Sequence, residues 1–242
     1  ESAFDNDTYM KEFIDDVSNY IGKYTGIYLV IDRDNSSTIR HSFSETRLAN
    51  VLKFIYSLKK MKFKVMIGYT GIESINYMAV GADVIATGWF YSLRRFNRLE
   101  KGLEEYSNMG RAKKRYLSLN LLSELTIDDN IQSIPKEQKT ELYKVIFNGN
   151  SLDEEIKTQS YELIPIKNTF IQYFEGMNEL NNKFDGIEEI EDKLLELENM
   201  LNRAIENVDF YNEKRQGIGS ITKKHLLDYL NAIKKFKEEN YI

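Results

Sequence analysis

Residues 64–96, KVMIGYTGIESINYMAVGADVIATGWFYSLRRF, carry the two features on which the fold depends. KVMIG and ADVIATG are short apolar runs rich in β-formers, each closed by glycine, and IESINYMAVG between them has helical rather than alternating character. Strand, short helix and strand in this order predict two parallel strands joined by a crossover.

The pattern extends toward the amino end. GIYLVID is a third apolar run, bounded by Gly26 and the polar DRDNSS. Two helices flank it. Met10, Phe13, Ile14, Val17, Tyr20 and Ile21 share a face ahead of Gly22, and Leu48, Val51, Leu52, Ile55 and Leu58 share another after the N-cap candidate Ser44. Apolar strands alternating with amphipathic helices predict a parallel sheet covered on both faces.

From about residue 112 the strand signal fades. SLDE at 151–154 has the form of a capping box, and Pro135 stands where a helix would start. Ile166, Phe170, Tyr173, Met177, Leu180 and Phe184 recur at helical spacing, as do Ile190, Leu194, Leu197, Leu201, Ala204 and Val208. The slip at Asp185-Gly186 predicts two long helices folded into an antiparallel hairpin. The expected organisation is an α/β domain over 1–110 and an all-α domain over 111–242.

Composition narrows the chemistry. The 242 residues include no cysteine and two histidines, His41 and His225. Disulfides, thiolate metal sites and cysteine nucleophiles are excluded, and a histidine-built metal centre is not expected. No apolar run approaches the roughly 18–20 residues of a membrane span, and no signal segment opens the chain, so a soluble, cytoplasmic protein without a membrane partner is expected. The net charge of −5 falls in residues 111–242, the first 110 being neutral.

Ligands of parallel α/β sheets bind at the carboxyl ends of the strands, where loops enter helix N-termini. Three such ends are legible. The first ends in Asp32-Arg33-Asp34, the second in Gly68-Tyr69-Thr70-Gly71, and the third in Thr87-Gly88-Trp89. The glycines let backbone approach an anion and the threonine hydroxyls can bond one. WFYSLRRFNRLEKG then reads as a short helix bearing Arg94, Arg95 and Arg98, and Arg94 to Arg115 holds eight basic side chains against three acidic ones.

Asp32 and Asp34 are the candidate carboxylates for acid–base or metal work, with magnesium a candidate cofactor, and DRDNSS is equally a solvated turn. His41 lies in a polar loop and could join them. Trp89 walls a ligand pocket or, as the commoner role, plugs the core. The ligand-binding candidates are Gly68, Tyr69, Thr70, Gly71, Thr87, Gly88, Trp89, Arg94 and Arg95.

GYTGIESINYMAVGADVIATGW resembles the final strand-helix-strand of a phosphate-binding (β/α) TIM barrel, in which glycine-containing loops after two successive strands share a phosphate. That resemblance covers 64–95 and extends weakly back to 27. It implies a partial barrel, because three strands are legible where eight are needed. With Glu1 in place of an initiator methionine, it also implies a protein fragment whose first barrel strands are missing or come from another chain.

Two other likenesses touch the same residues. LVIDRD with VMIGYTG and AVGADVIATGWF looks like the later strands of a response-regulator receiver, with Asp32 as phosphoacceptor and Thr70 as switch threonine, but no lysine follows the last strand. The stretch also looks like the barrel end of tRNA-guanine transglycosylases, whose cysteine-rich zinc lobe has no counterpart here.

The leading expectation is binding of a phosphorylated small molecule or nucleotide, with hydrolysis or group transfer as the compatible chemistry. The alternatives are an interaction or scaffold protein acting through its helical half, self-associating through an exposed apolar stripe, and nucleic-acid binding through the Arg94 to Arg115 cluster.

Overall fold

The computed structural model describes residues 2–32, 43–96, 113–216 and 219–240. Helices α1 (Ser2–Asp5) and α2 (Asp7–Ser18) lead into β1 (Gly26–Val30), α3 (Glu45–Lys60), β2 (Lys64–Thr70), α4 (Ser74–Ala79) and β3 (Val84–Thr87). Next come β4 (Arg115–Ser118), β5 (Ser123–Thr126), α5 (Lys136–Ile146) and α6 (Ser151–Thr158). Three long helices complete the order: α7 (Ile166–Asn182), α8 (Ile190–Arg215) and α9 (Lys224–Asn240).

Two units emerge, and neither is continuous in sequence. One holds Glu1–Arg98, Phe184–Met200 and Lys224–Ile242; the other holds Leu99–Lys183 and Leu201–Lys223. The first change of unit comes earlier than residue 110, and α9 with the first part of α8 belongs to the α/β unit.

In the α/β unit the sheet order is β1-β2-β3, all parallel, with Tyr28 opposite Met66 and Met66 opposite Val84. The three described strands do not close a barrel. Val65 and Ile67 are buried while Lys64 and Met66, which alternate with them, are exposed. The buried face lies under α3, which also touches α4. The other face is open at Tyr28, Met66 and Val84. Coverage on both faces is therefore not found among the described residues: apolar residues at alternate positions read as buried strands although one set of them faces outward.

Helix α3 is the hub of this unit. Ser44 caps it by accepting from the Arg47 amide, as its sequence predicts. Phe54 receives Phe4 edge-on at 5.8 Å and stacks with Phe13 at 5.1 Å. On its other flank Tyr56 meets Phe236 of α9 at 5.6 Å, with Lys53 bridging to Glu239. Glu198 of α8 pairs with Lys237 of α9. At the amino edge of the sheet Asp83 binds Lys59, Lys64 and the Val65 amide.

The second unit is not all helix. RYLSLNLLSELT forms the antiparallel β4–β5 hairpin, where helix was expected. Such a leucine-rich run fits either period, and the deciding partner is distant: Gln172 of α7 accepts from the Leu117 amide and donates to its carbonyl, completing the edge of β4. Gly176 lets α7 approach the side chain of Leu117.

The α6 cap falls one residue before the sequence expectation, with Asn150 and Asp153 forming the box in place of Ser151 and Glu154. Asp153 also accepts from buried Tyr116 and from the Gly149 amide. The helices expected to pair as a hairpin do break at 183–189, with Gly186 at φ +78°. Their partners differ, however. Helix α7 packs on β4 and α6, whereas the start of α8 belongs to the α/β unit.

Candidate functional site

The carboxyl edge of the parallel sheet is shaped by an irregularity in β2. The β2–β3 register slips between Ile67 and Thr70, and Tyr69 adopts φ +56°, a region that non-glycine residues rarely occupy. The slip turns Thr70 inward, where its hydroxyl donates to the Ala86 carbonyl at 3.2 Å. Thr87 in turn donates to the Thr70 carbonyl at 2.5 Å. Both hydroxyls thus tie β2 to β3. Tyr69 is left exposed, its ring 5.4 Å from that of Phe96.

Two of the candidate glycines face side chains of the protein itself. The space beside Gly68 is filled by the Tyr28 hydroxyl, and the space beside Gly88 by Leu93. Gly71 is buried and donates its amide to Glu73 Oε1 at 2.9 Å. Glu73 is itself buried, as are Ser74 and Asn76. Asn76 Nδ2 donates to the Glu73 carbonyl at 2.9 Å, while Asn76 Oδ1 and Ser74 Oγ have no hydrogen-bond partner among the described residues.

Sequence reading passed over these three residues. The signal was available as three polar residues interrupting an otherwise apolar run, IESINYMAV. In a helix buried on all sides, each such residue must find a partner or a ligand.

After β3 the chain makes one 3₁₀ turn, Tyr91–Arg94, and Arg95 is extended, so the expected short helix does not run on through Arg95; residues 97–102 of that stretch lie outside the described residues. Arg94 donates to the Gly88 and Trp89 carbonyls, each at 3.2 Å. Arg95 is buried beside it in sequence. Phe96 then pairs in parallel with Asp32 just beyond β1, so residues 88–96 lead from the end of β3 back to the end of β1. The same segment leaves Trp89 exposed, the opposite of the core role that a sole tryptophan suggests. Asp34 and His41 lie outside the described residues.

The basic cluster has less free charge than its sequence suggests. Arg94, Arg95 and Lys114 are buried, and Lys113 pairs with Asp129 at 2.6 Å. Arg98, Lys101 and Arg111 lie outside the described residues. Lys114 donates to the carbonyls of Tyr161 and Glu162, a structural use of its ammonium group. His225, on α9, is buried edge-on against Tyr229.

Among the described residues no group of three or more His, Asp or Glu side chains could hold a metal ion. A shallow, open hollow near the start of α8 is lined by Glu188, Glu189, Asp192 and Glu196, a set of carboxylates that repels phosphate. No described helix is long and apolar enough to cross a membrane.

The chain matches no family model, no curated protein and no solved structure.

Proposed function

We propose that the carboxyl edge of β2 and β3 binds a phosphorylated small molecule or nucleotide, on a sheet that is an arc of (β/α)-barrel type. Sequential strand order with the crossover helices on one face supports the arc. The observation that carries the binding reading is the buried polar set leaving β2. Glu73, Ser74 and Asn76 are at most 1% exposed, yet Ser74 Oγ and Asn76 Oδ1 have no hydrogen-bond partner among the described residues. Buried polar atoms are nearly always satisfied, and exceptions concentrate where a ligand or water completes them.

Charge and strain support the same edge. Arg94 and Arg95, six and seven residues beyond Gly88, bring two guanidinium groups to the loop after β3. Tyr69 holds a backbone conformation of a kind that persists at functional sites. In this reading the Ser74 hydroxyl, at the turn after Gly71, donates to the anion, the arginines complement its charge, and Thr70 and Thr87 hold the two strand ends in register. Asp32, just beyond β1, is the carboxylate this reading assigns to acid–base work.

Thermal unfolding against inorganic phosphate, nucleotides and sugar phosphates, with and without magnesium, tests this. A ligand at about 100 times its Kd stabilises the fold by about 2.7 kcal/mol. Ser74→Ala removes an unpartnered hydroxyl, so the ligand-free variant should melt at or above the parent temperature while its response to the ligand shrinks. If no phosphorylated compound raises the melting temperature of the parent chain, the reading fails.

A further inference from the structure

The amino edge of the parallel sheet gathers positive charge on a chain whose net charge is −5. Residues 19–25 lead into β1, 61–63 into β2 and 80–83 into β3, and all three connections are described in full. Together with the last turn of α3 and the first residue of β2, they carry Lys23, Lys59, Lys60, Lys62 and Lys64 against a single carboxylate, Asp83. These segments adjoin one another. Lys64 donates its amide to the Thr25 carbonyl at 2.9 Å, and Lys59 and Lys64 share Asp83. Lys23, Lys60 and Lys62 are exposed and pair with no carboxylate among the described residues. Aromatic rings lie among them: Tyr20 and Tyr24 are 48% and 63% exposed with centroids 5.8 Å apart, and the Lys23 ammonium stands 5.7 Å from the Tyr20 ring. Lys60 stands 4.9 Å from the ring of Tyr56.

We propose that this edge binds single-stranded nucleic acid, with the lysines on its phosphates and the rings of Tyr20 and Tyr24 stacked on its bases. The surface lies at the opposite end of the strands from Thr70 and Thr87, and the inference does not rest on ligand binding there. Charge supports it first. Lys59 and Lys64 have a structural use, tying Asp83 to the start of β2, whereas Lys23, Lys60 and Lys62 form no such bond. Three ammonium groups without a counter-charge attract a polyanion, which gains by releasing its own counterions when they neutralise it.

The rings decide which polyanion. Phe13, earlier on α2, stacks on Phe54, whereas Tyr20 and Tyr24 pair with each other and keep about half of their surface in water. A base stacks on such a ring whatever its identity, so the pair suits a strand whose bases are unpaired. A duplex hides the faces of its bases, and an acidic protein surface would meet the charge while leaving the rings unused. Asp15 and Asp16, in the last turn of α2, stand just before Tyr20 and limit the contact to a short stretch of strand. With three uncompensated lysines the edge neutralises about three phosphates, which corresponds to a salt slope of about −2 for a single strand.

Fluorescence anisotropy of a labelled oligothymidylate of about 20 nucleotides, titrated with the full chain at several salt concentrations, tests this. The parent should bind at low salt and weaken along the slope given above. Lys60→Gln combined with Lys62→Gln should flatten that slope by about 0.7 for each lysine removed. Tyr20→Leu combined with Tyr24→Leu should weaken binding about tenfold or more and leave the slope unchanged, a split that charge alone would not produce. All four positions are exposed or half-exposed to solvent, so both variants should keep the circular dichroism spectrum of the parent. The proposal is overturned if the parent does not bind at about 100 μM chain in about 50 mM salt. Parent-like affinity in the tyrosine variant, a parent-like slope in the lysine variant, or a duplex of the same length bound as tightly as the strand overturns it as well.

Discussion

Tyr28 and Gly68 face each other on neighbouring strands, and the tyrosine hydroxyl stands where a side chain on the glycine would be. The glycine is thus held by packing, since its φ is not in the left-handed region. Gly68→Ala should displace the Tyr28 ring and cost about 1–3 kcal/mol in urea unfolding, the usual penalty for overpacking. In a Tyr28→Ala background the same change should be nearly neutral. A penalty of equal size in both backgrounds would show that the ring is not the obstacle.

Thr70 and Thr87 exchange bonds across β2 and β3, each hydroxyl donating to a carbonyl of the other strand. Thr70→Val and Thr87→Val keep shape and remove one hydrogen bond each, at about 1 kcal/mol apiece. Because both bonds hold the same slipped register, the double variant should lose less than the sum. Additive losses would mean that the two bonds act independently.

The strands of the sheet were legible because each is a short apolar run bounded by glycine or a polar turn. Its open face was not, since Tyr28, Met66 and Val84 read as core wherever they point. The β4–β5 hairpin was hidden for a related reason. Its leucines suit a helix, and the side chain that completes its edge, Gln172, is 55 residues from Leu117. At the candidate site the glycines stood out, but what fills the space beside Gly68 and Gly88 comes from Tyr28 and Leu93. Contacts of that kind depend on tertiary packing. Glu73, Ser74 and Asn76 became informative only once burial on all sides of α4 was known.

Asp153 is the hub of the turn into α6. Its carboxylate accepts from the Tyr116 hydroxyl at 2.7 Å and from the amides of Gly149 and Asn150 at 2.7 and 3.0 Å. Burial, reinforced by the bond to Asp153, pushes the Tyr116 phenol far above its ordinary range and keeps it a donor. Asp153→Ala would strand the buried Tyr116 donor and two part-buried amides and should cost about 2–3 kcal/mol. Adding Tyr116→Phe should recover part of that loss. A double variant less stable than Asp153→Ala would place the energy elsewhere.

Asp83 should make the α/β unit sensitive to acid. Burial raises its carboxyl pKa, but bonds from Lys59 at 2.5 Å, from the Val65 amide and from Lys64 outweigh this and hold it below the ordinary value of 3.8. A carboxyl with a lowered folded pKa contributes stability in full above its unfolded pKa and loses it as the pH falls through the folded one. Asp5, lowered chiefly by its hydrogen bond from Arg47, acts in the same direction. The parent chain should therefore lose stability as the pH drops below about 4. Asp83→Asn should be less stable at neutral pH by about 1–3 kcal/mol, the value of hydrogen bonds to a charged group, and should lose less on acidification. Urea unfolding of both chains between pH 7 and pH 3 measures the difference. An acid limb of equal slope in both would remove Asp83 as its source.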